Sequence, residues 1–175
     1  ITSKMLTKLD DFVTDLYNMS AMPLYYEDFL AWLADPRNEW RKFQSIDHYI
    51  ANLNKIKPGM VSVYVFDNYG SIHYNIKSGD KRDNLGEVQA EWAKIAEEGN
   101  GRPKLVSTQE AFTGKSSNYA FSVVRQLKEL KDISPIGYIV FDTNINAISR
   151  PIQEVDQVTK GKTVLVDENN KVVFD

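Results

Sequence analysis

The residues able to do chemistry are few, and most familiar constellations fail on spacing. The chain has no cysteine and two histidines, which excludes disulfides, thiolate metal sites and cysteine nucleophiles. His48 and His73 have neither the short spacing of a zinc pair nor a triad's carboxylate pattern nearby. Gly114-Lys115-Ser116 looks like the end of a phosphate loop, but the glycine required five residues earlier is replaced by Gln109. Asp67 and Asp142 would form a glycosidase pair if the fold brought them together. Each also closes a strand pattern, where an Asp accepts hydrogen bonds from a turn, and we adopt that reading. No catalytic, metal or cofactor site is expected.

Binding is the better prospect. Tyr119, Phe121, Val123 and Arg125 share one strand face by the two-residue period, and Arg125 is the charged member of an otherwise apolar face. A buried guanidinium must be paired, and a ligand carboxylate would satisfy it in bidentate fashion. An internal partner such as Asp142 or Glu110 would do the same, and an alternation that sends Arg125 into water would remove the need. Tyr64, Tyr74, Tyr119 and Trp92 can stack on a sugar or an organic acid, or simply fill the core. The candidate ligand-binding set is therefore Tyr64, Tyr74, Trp92, Tyr119, Phe121, Arg125 and Asp142.

The elements that must position these residues start with a strand pair. Val61, Val63 and Val65 alternate with Ser62, Tyr64 and Phe66, then an Asp67-Asn68-Tyr69-Gly70 turn leads into Ile72, Tyr74 and Ile76. Thr163 to Asp175 repeats this pattern, with Asp167 under Asp67, Asn170 under Gly70 and Phe174 under Tyr74. Before the first hairpin the chain reads as helical. Met5, Leu9, Phe12, Leu16 and Met19 form a heptad seam, which fits a partner helix or the domain's own core equally well. Pro23 breaks that helix. An apolar segment from Leu24 to Leu33 follows, then a helix carrying Phe43, Ile46, Ile50, Leu53 and Ile56 that Pro58-Gly59 stops.

After the hairpin, Lys77 to Asn84 reads as a polar loop. Leu85, Val88, Trp92 and Ile95 then mark a helix ending at Gly99. Strands are expected over Lys104 to Phe112, Tyr119 to Leu130 and Ile136 to Asp142. A short helical stripe, Ile145, Ile148, Ile152 and Val155, leads into the second hairpin.

With 175 residues, 42% of them hydrophobic, the chain is long enough for one good core and part of a second. A net charge of -3 and a pI near 5.5 argue against a nucleic-acid partner, which requires a basic face. No apolar run approaches the roughly 20 residues of a spanning helix. The chain begins at Ile1 rather than Met, so we expect a piece of a longer protein, with any membrane segment outside it.

This order of elements resembles the extracellular sensor domain called Cache, a PAS-like unit, in its tandem form, and most closely the YesM-type sensor histidine kinases of Gram-positive bacteria. The resemblance is carried by the heptad helix, by Val63 to Tyr74, by the helix with Trp92 and Gly99, by Phe121 to Arg125, by Ile136 to Val140 and by the repeated Val164 to Phe174. It implies an α+β fold: a long N-terminal helix, then an antiparallel PAS-like sheet flanked by helices, then the start of a second unit. Residues 1–60 would be the helical segment, 61–158 the membrane-distal unit and 159–175 the first hairpin of a truncated second unit.

The resemblance further implies a non-enzymatic domain on the extracellular face of a bacterial membrane. Its parent would be a membrane-anchored histidine kinase, dimeric through the N-terminal helix. A small molecule would lie against one face of the sheet, under the helix and loops before the third strand. Relatives suggest a sugar, whereas Arg125 suggests an acid. A chemotaxis-receptor ectodomain is the alternative within this class; a ligand-free dimerisation domain and an Asp- or Glu-dependent hydrolase are the others.

Overall fold

Proline and charge set the boundaries of the helical third. A computed structural model describes residues 3–57, 61–74, 82, 84–107, 119–144, 165–166 and 172–174. Helix α1 (Ser3–Ala21) ends where Pro23 enters a short 3-10 turn, Met22–Tyr25, because proline offers no N–H to continue the ladder. Helix α2 (Glu27–Ala34) carries Glu27 and Asp28 in its first turn, where carboxylates favour the positive end of the helix dipole. Helix α3 (Trp40–Asn54) follows.

The inward stripe of α3 differs from the expected one. Phe43 and Ile56 are 37% and 48% exposed, while Lys42 is buried with Ile46, Ile50 and Leu53. Lys42 lies four residues before Ile46 and eight before Ile50, so helical periodicity puts it on the same face. An ion pair described below makes that burial tolerable.

Five strands make one antiparallel sheet: β1 (Val61–Asp67), β2 (Ile72–Tyr74), β3 (Lys104–Ser107), β4 (Tyr119–Lys128) and β5 (Pro135–Asn144), in the order β2-β1-β5-β4-β3. The last strand of the sheet is thus its centre. It pairs with β1 from Val61↔Thr143 to Asp67↔Gly137, and with β4 on its other side. The expected strands are recovered, β4 ending two residues earlier, while β3 is described only as far as Ser107. β6 (Leu165–Val166) and β7 (Val172–Phe174) pair antiparallel, as the internal repeat implies. The stripe from Ile145 to Val155 and the Gly114-Lys115-Ser116 segment lie outside the described residues.

Alternation divides the sheet's side chains between two cores. On one face Val63, Val65, Phe121, Val123, Ile139 and Phe141 pack with Leu16, Leu33, Ile46 and Ile50 of the N-terminal helices. On the other, Tyr64, Phe66, Val124 and Val140 pack beneath α4 (Leu85–Gly99) through Leu85, Val88, Trp92 and Ala96. The fold class is therefore the expected α+β arrangement of an antiparallel sheet flanked by helices.

α4 ends at Gly99 as expected, with Asn100 rather than the glycine in the left-handed cap position, and the open choice for the heptad seam is narrowed. Gly99 is the last helical residue of α4, and Asn100 takes the left-handed conformation at φ 51°, its N–H reaching the carbonyls of Ala96 and Glu97. Asparagine visits that region more readily than most residues other than glycine. In the heptad seam, Leu16 and Met19 are buried in this domain's own core. Phe12 is half-buried, its ring edge-on to Phe121 at 6.3 Å. The C-terminal half of the seam thus serves intramolecular packing; the side chains of Met5 and Leu9 lie outside the described residues. No helix among the described residues is long and apolar enough to cross a membrane.

Candidate functional site

Asp142 stands near the end of β5 on the α4 face, two residues beyond Val140 and flanked in register by Ser62 on β1 and Ser122 on β4. A carboxylate in the middle of a sheet face must find donors. Ser122 Oγ donates to Oδ1 at 2.7 Å. Arg82 supplies the rest: its Nε donates to Oδ2 at 2.6 Å and its Nη2 to Oδ1 at 2.8 Å. Neither side chain has any solvent exposure. This fork-to-fork geometry is the strongest form of the arginine–carboxylate contact.

Aromatic side chains enclose the pair. The Arg82 guanidinium carbon sits 5.2 Å from the centre of the Trp92 ring, within cation–π range. The backbone N–H of Arg82 donates to Tyr64 Oη at 3.0 Å. Tyr64 in turn lies 5.9 Å from Trp92 and 6.4 Å from Tyr74, ring centre to ring centre. Burial pushes the Asp142 carboxyl up from its ordinary value, opposed by the hydrogen bond and charge of Arg82 and by the Ser122 hydroxyl. Both of its oxygens accept hydrogen bonds, as those of an ionised carboxylate do.

Of the seven candidates, the structure brings together four: Tyr64, Tyr74, Trp92 and Asp142. Phe121 and Arg125 do not join them. They share the opposite face with Val123, under the N-terminal helices. Arg125 therefore does not pair with Asp142; the two side chains leave the sheet in opposite directions, and Arg82 takes that place. Arg125 is half-buried, its pKa lowered by that burial, and its Nε has no hydrogen-bond partner among the described residues. Tyr119 belongs to β4, with its side chain outside the described residues, as is Glu110.

A second buried charge cluster anchors the β1–β2 turn. Asp67 accepts from the backbone N–H groups of Tyr69 and Ser71, each at 2.9 Å, the turn-acceptor role expected of it. Its other oxygen meets Lys42 Nζ at 2.7 Å and His73 Nε2 at 3.3 Å. Lys42 also donates to the Asp35 carbonyl at 2.7 Å. Asp67 ends β1 and Asp142 lies near the end of β5, at opposite ends of an antiparallel pairing in which Asp67 faces Gly137 and Asp142 faces Ser62. They cannot act together as a glycosidase pair.

Arg82 escaped the sequence reading because it lies in a polar stretch with no periodicity. The signal available was Asp142 itself, an ionisable residue two places after Val140 in an apolar strand. Such a residue demands a cation from elsewhere in the chain.

No family model matches the chain, and no curated protein sequence matches it. Solved structures do. The sensory domain of the Campylobacter jejuni chemoreceptor Tlp3 superposes with a TM-score of 0.62 at 16% identity, over 96% of this chain and 66% of that one. The Tlp3 ligand-binding domain in complex with L-valine gives 0.61 at 17% identity, over 97% and 65%. The ligand-binding domain of the Pseudomonas aeruginosa amino acid chemoreceptor PctC in complex with GABA gives 0.52 at 12% identity, over 100% and 75%. The chain spans just under two thirds of the length of the ligand-bound Tlp3 domains. At these identities the likeness establishes the fold, which is that of Cache or PAS-like sensory domains. These neighbours are chemoreceptor domains, whereas the sequence resemblance pointed to a histidine kinase.

Proposed function

We propose that this chain is the ligand-sensing part of an extracellular receptor domain, of the chemoreceptor kind, and that it binds a small zwitterion such as an amino acid at Arg82 and Asp142. The observation that carries the reading is the fully buried Arg82–Asp142 pair beneath Tyr64 and Trp92. Its two charges complement the carboxylate and ammonium of an amino acid. Support comes from the neighbours, whose bound ligands include L-norvaline, L-valine, isoleucine and GABA. The sugar suggested by the sequence resemblance has no such support. A histidine-kinase parent remains the second reading, resting on the sequence motifs.

In the whole receptor the signal would pass through the sheet. Ser122 holds Asp142 on one face of β4, and the adjacent Phe121 meets Phe12 of α1 on the other. A shift of β4 on ligand binding therefore bears directly on α1. We place the receptor in a membrane, dimeric through α1, with a coupling of about 1–3 kcal/mol sufficient to bias its output. No catalytic step is assigned to this segment.

The test is calorimetric titration of the chain with the twenty standard amino acids and GABA, repeated on Asp142→Asn. Binding that is lost in the variant supports the reading. Equal binding by both proteins, or binding by neither while sugars bind, overturns it.

A further inference from the structure

We infer that the cleft at the C-terminal end of α4 is a second small-molecule site, separate from Arg82 and Asp142, and that it takes a neutral polyhydroxylated ligand of monosaccharide size. Its volume is about 470 Å³, inside the range of roughly 300–1,000 Å³ usual for ligand pockets. Ala93 and Ala96, three residues apart on one face of α4, line it from the helix, and Gly137 of β5 lines it from the sheet. Space exists there because none of these side chains exceeds a methyl group. Gly137 is fixed as glycine, since a Cβ on it would collide with the Phe66 carbonyl oxygen. Gly137 lies five residues along β5 from Asp142, which separates the two positions by roughly 17 Å.

The lining selects the ligand. The carboxamides of Asn68, Asn100 and Gln126 border the cleft, together with the Glu97 carboxylate and the Lys128 ammonium. Asn68 Nδ2 donates to the Pro135 carbonyl at 2.8 Å, which leaves its Oδ1 as an acceptor. Lys128 donates to Asn100 Oδ1, which leaves the Asn100 amide protons and the remaining ammonium protons as donors. The side chains of Glu97 and Gln126 have no partner among the described residues. Donors and acceptors are thus mixed around the cleft, and its two charges cancel. A hydroxyl both donates and accepts, so neighbouring hydroxyls on a ring match this lining without bringing in a charge. A carboxylate accepts from two of them, and a carboxamide donates to one while accepting from the next. Glu97 is exposed, so an ion pair made there is screened by water and contributes little. The two alanine methyls receive the C–H face of the ring.

Heteronuclear NMR on the isotope-labelled chain reads the two sites separately. D-glucose, D-galactose, D-ribose and myo-inositol are titrated to about 50 mM, well above the millimolar dissociation constants expected of an open cleft. Glucosamine and glucuronate serve as singly charged counterparts. The expected result is a saturable shift of the Gly137 backbone amide and of the Gln126 and Asn100 side-chain amides with at least one neutral compound. Ala93→Leu fills the cleft from a half-buried position with a good helix former, and Gln126→Ala removes a carboxamide. Each should weaken the response about tenfold, and the spectrum itself shows whether the variant is folded.

Absence of a saturable shift at these amides with every neutral compound overturns the inference, as does a response that either folded variant leaves unchanged. Tighter binding of glucosamine or glucuronate than of the neutral compounds overturns the ligand class. Amino acids report on other resonances, those of Ser122 and the Trp92 indole N–H. Failure there counts against the proposed function and not against this cleft.

Discussion

Arg82 and Asp142, sixty residues apart in the chain, are joined by two hydrogen bonds in the interior of the α4 face. Breaking such a pair from one side differs physically from removing it. Asp142→Asn leaves the guanidinium buried without its counterion and should cost about 3–5 kcal/mol in urea unfolding. The double change Arg82→Met with Asp142→Leu replaces the pair by apolar groups and should recover most of that loss. A single variant as stable as the wild type would mean that the pair is not sealed from water.

Gly137 and Phe66 impose a second constraint. Gly137 has φ +152°, and a Cβ there would lie 2.1 Å from the Phe66 carbonyl oxygen, on a strand directly paired with its own. Backbone cannot yield as a flexible side chain can. Gly137→Ala should destabilise by about 3 kcal/mol. Gly70, at φ +85° with open space around it, is the control: alanine there meets only local backbone strain and should cost about 1 kcal/mol. Thermal melts of the two variants should rank in that order.

The hairpins, the strand order along the chain and α4 were legible because period-two and helical patterns are local. The position of β5 was not. Its insertion between β1 and β4 depends on pairings such as Tyr64↔Val140 and Val124↔Val140, which no local pattern records. The site divided along the same line. Tyr64 and Asp142 were visible as polar-tipped or charged residues in apolar strands. Whether they shared a face with Arg125 depended on the phase of two strands relative to each other, and a shift of one residue reverses every such assignment. Lys42 was hidden for the complementary reason: its helical phase placed it inward, but its charge argued outward until Asp67 was known to await it.

Helix α1 offers a test of how the seam is used. Leu16 has no exposure and packs in the core beneath the sheet, so Leu16→Ala should cost about 2–5 kcal/mol even at concentrations where the chain is monomeric. A seam used only between copies would instead make stability rise with protein concentration and leave the dilute monomer unaffected. Unfolding at two concentrations a hundredfold apart separates the two uses.

The Lys42–Asp67–His73 cluster sets the direction of pH dependence. Burial pushes the Asp67 carboxyl up, but hydrogen bonds from Lys42, from the Ser71 and Tyr69 N–H groups and from His73 outweigh it and hold it below its ordinary 3.8. For His73, burial is the largest influence and lowers its pKa from 6.5; the Lys42 charge adds to this, while Asp67 and Asp47 oppose it. Below pH 6.5 the unfolded chain therefore takes up a proton at this imidazole more readily than the folded one does. Stability falls as pH drops through that value, with a slope of at most about 1.4 kcal/mol per pH unit for one proton. The Asp67 contribution is fully present above 3.8 and is lost only as pH falls through that value towards the carboxyl's lower folded pKa. Two losses of the same sign, separated in pH, should appear when urea midpoints are followed from pH 7.5 to 3. His73→Gln should flatten the upper one and leave the lower, whereas an unchanged upper slope would assign it to another group.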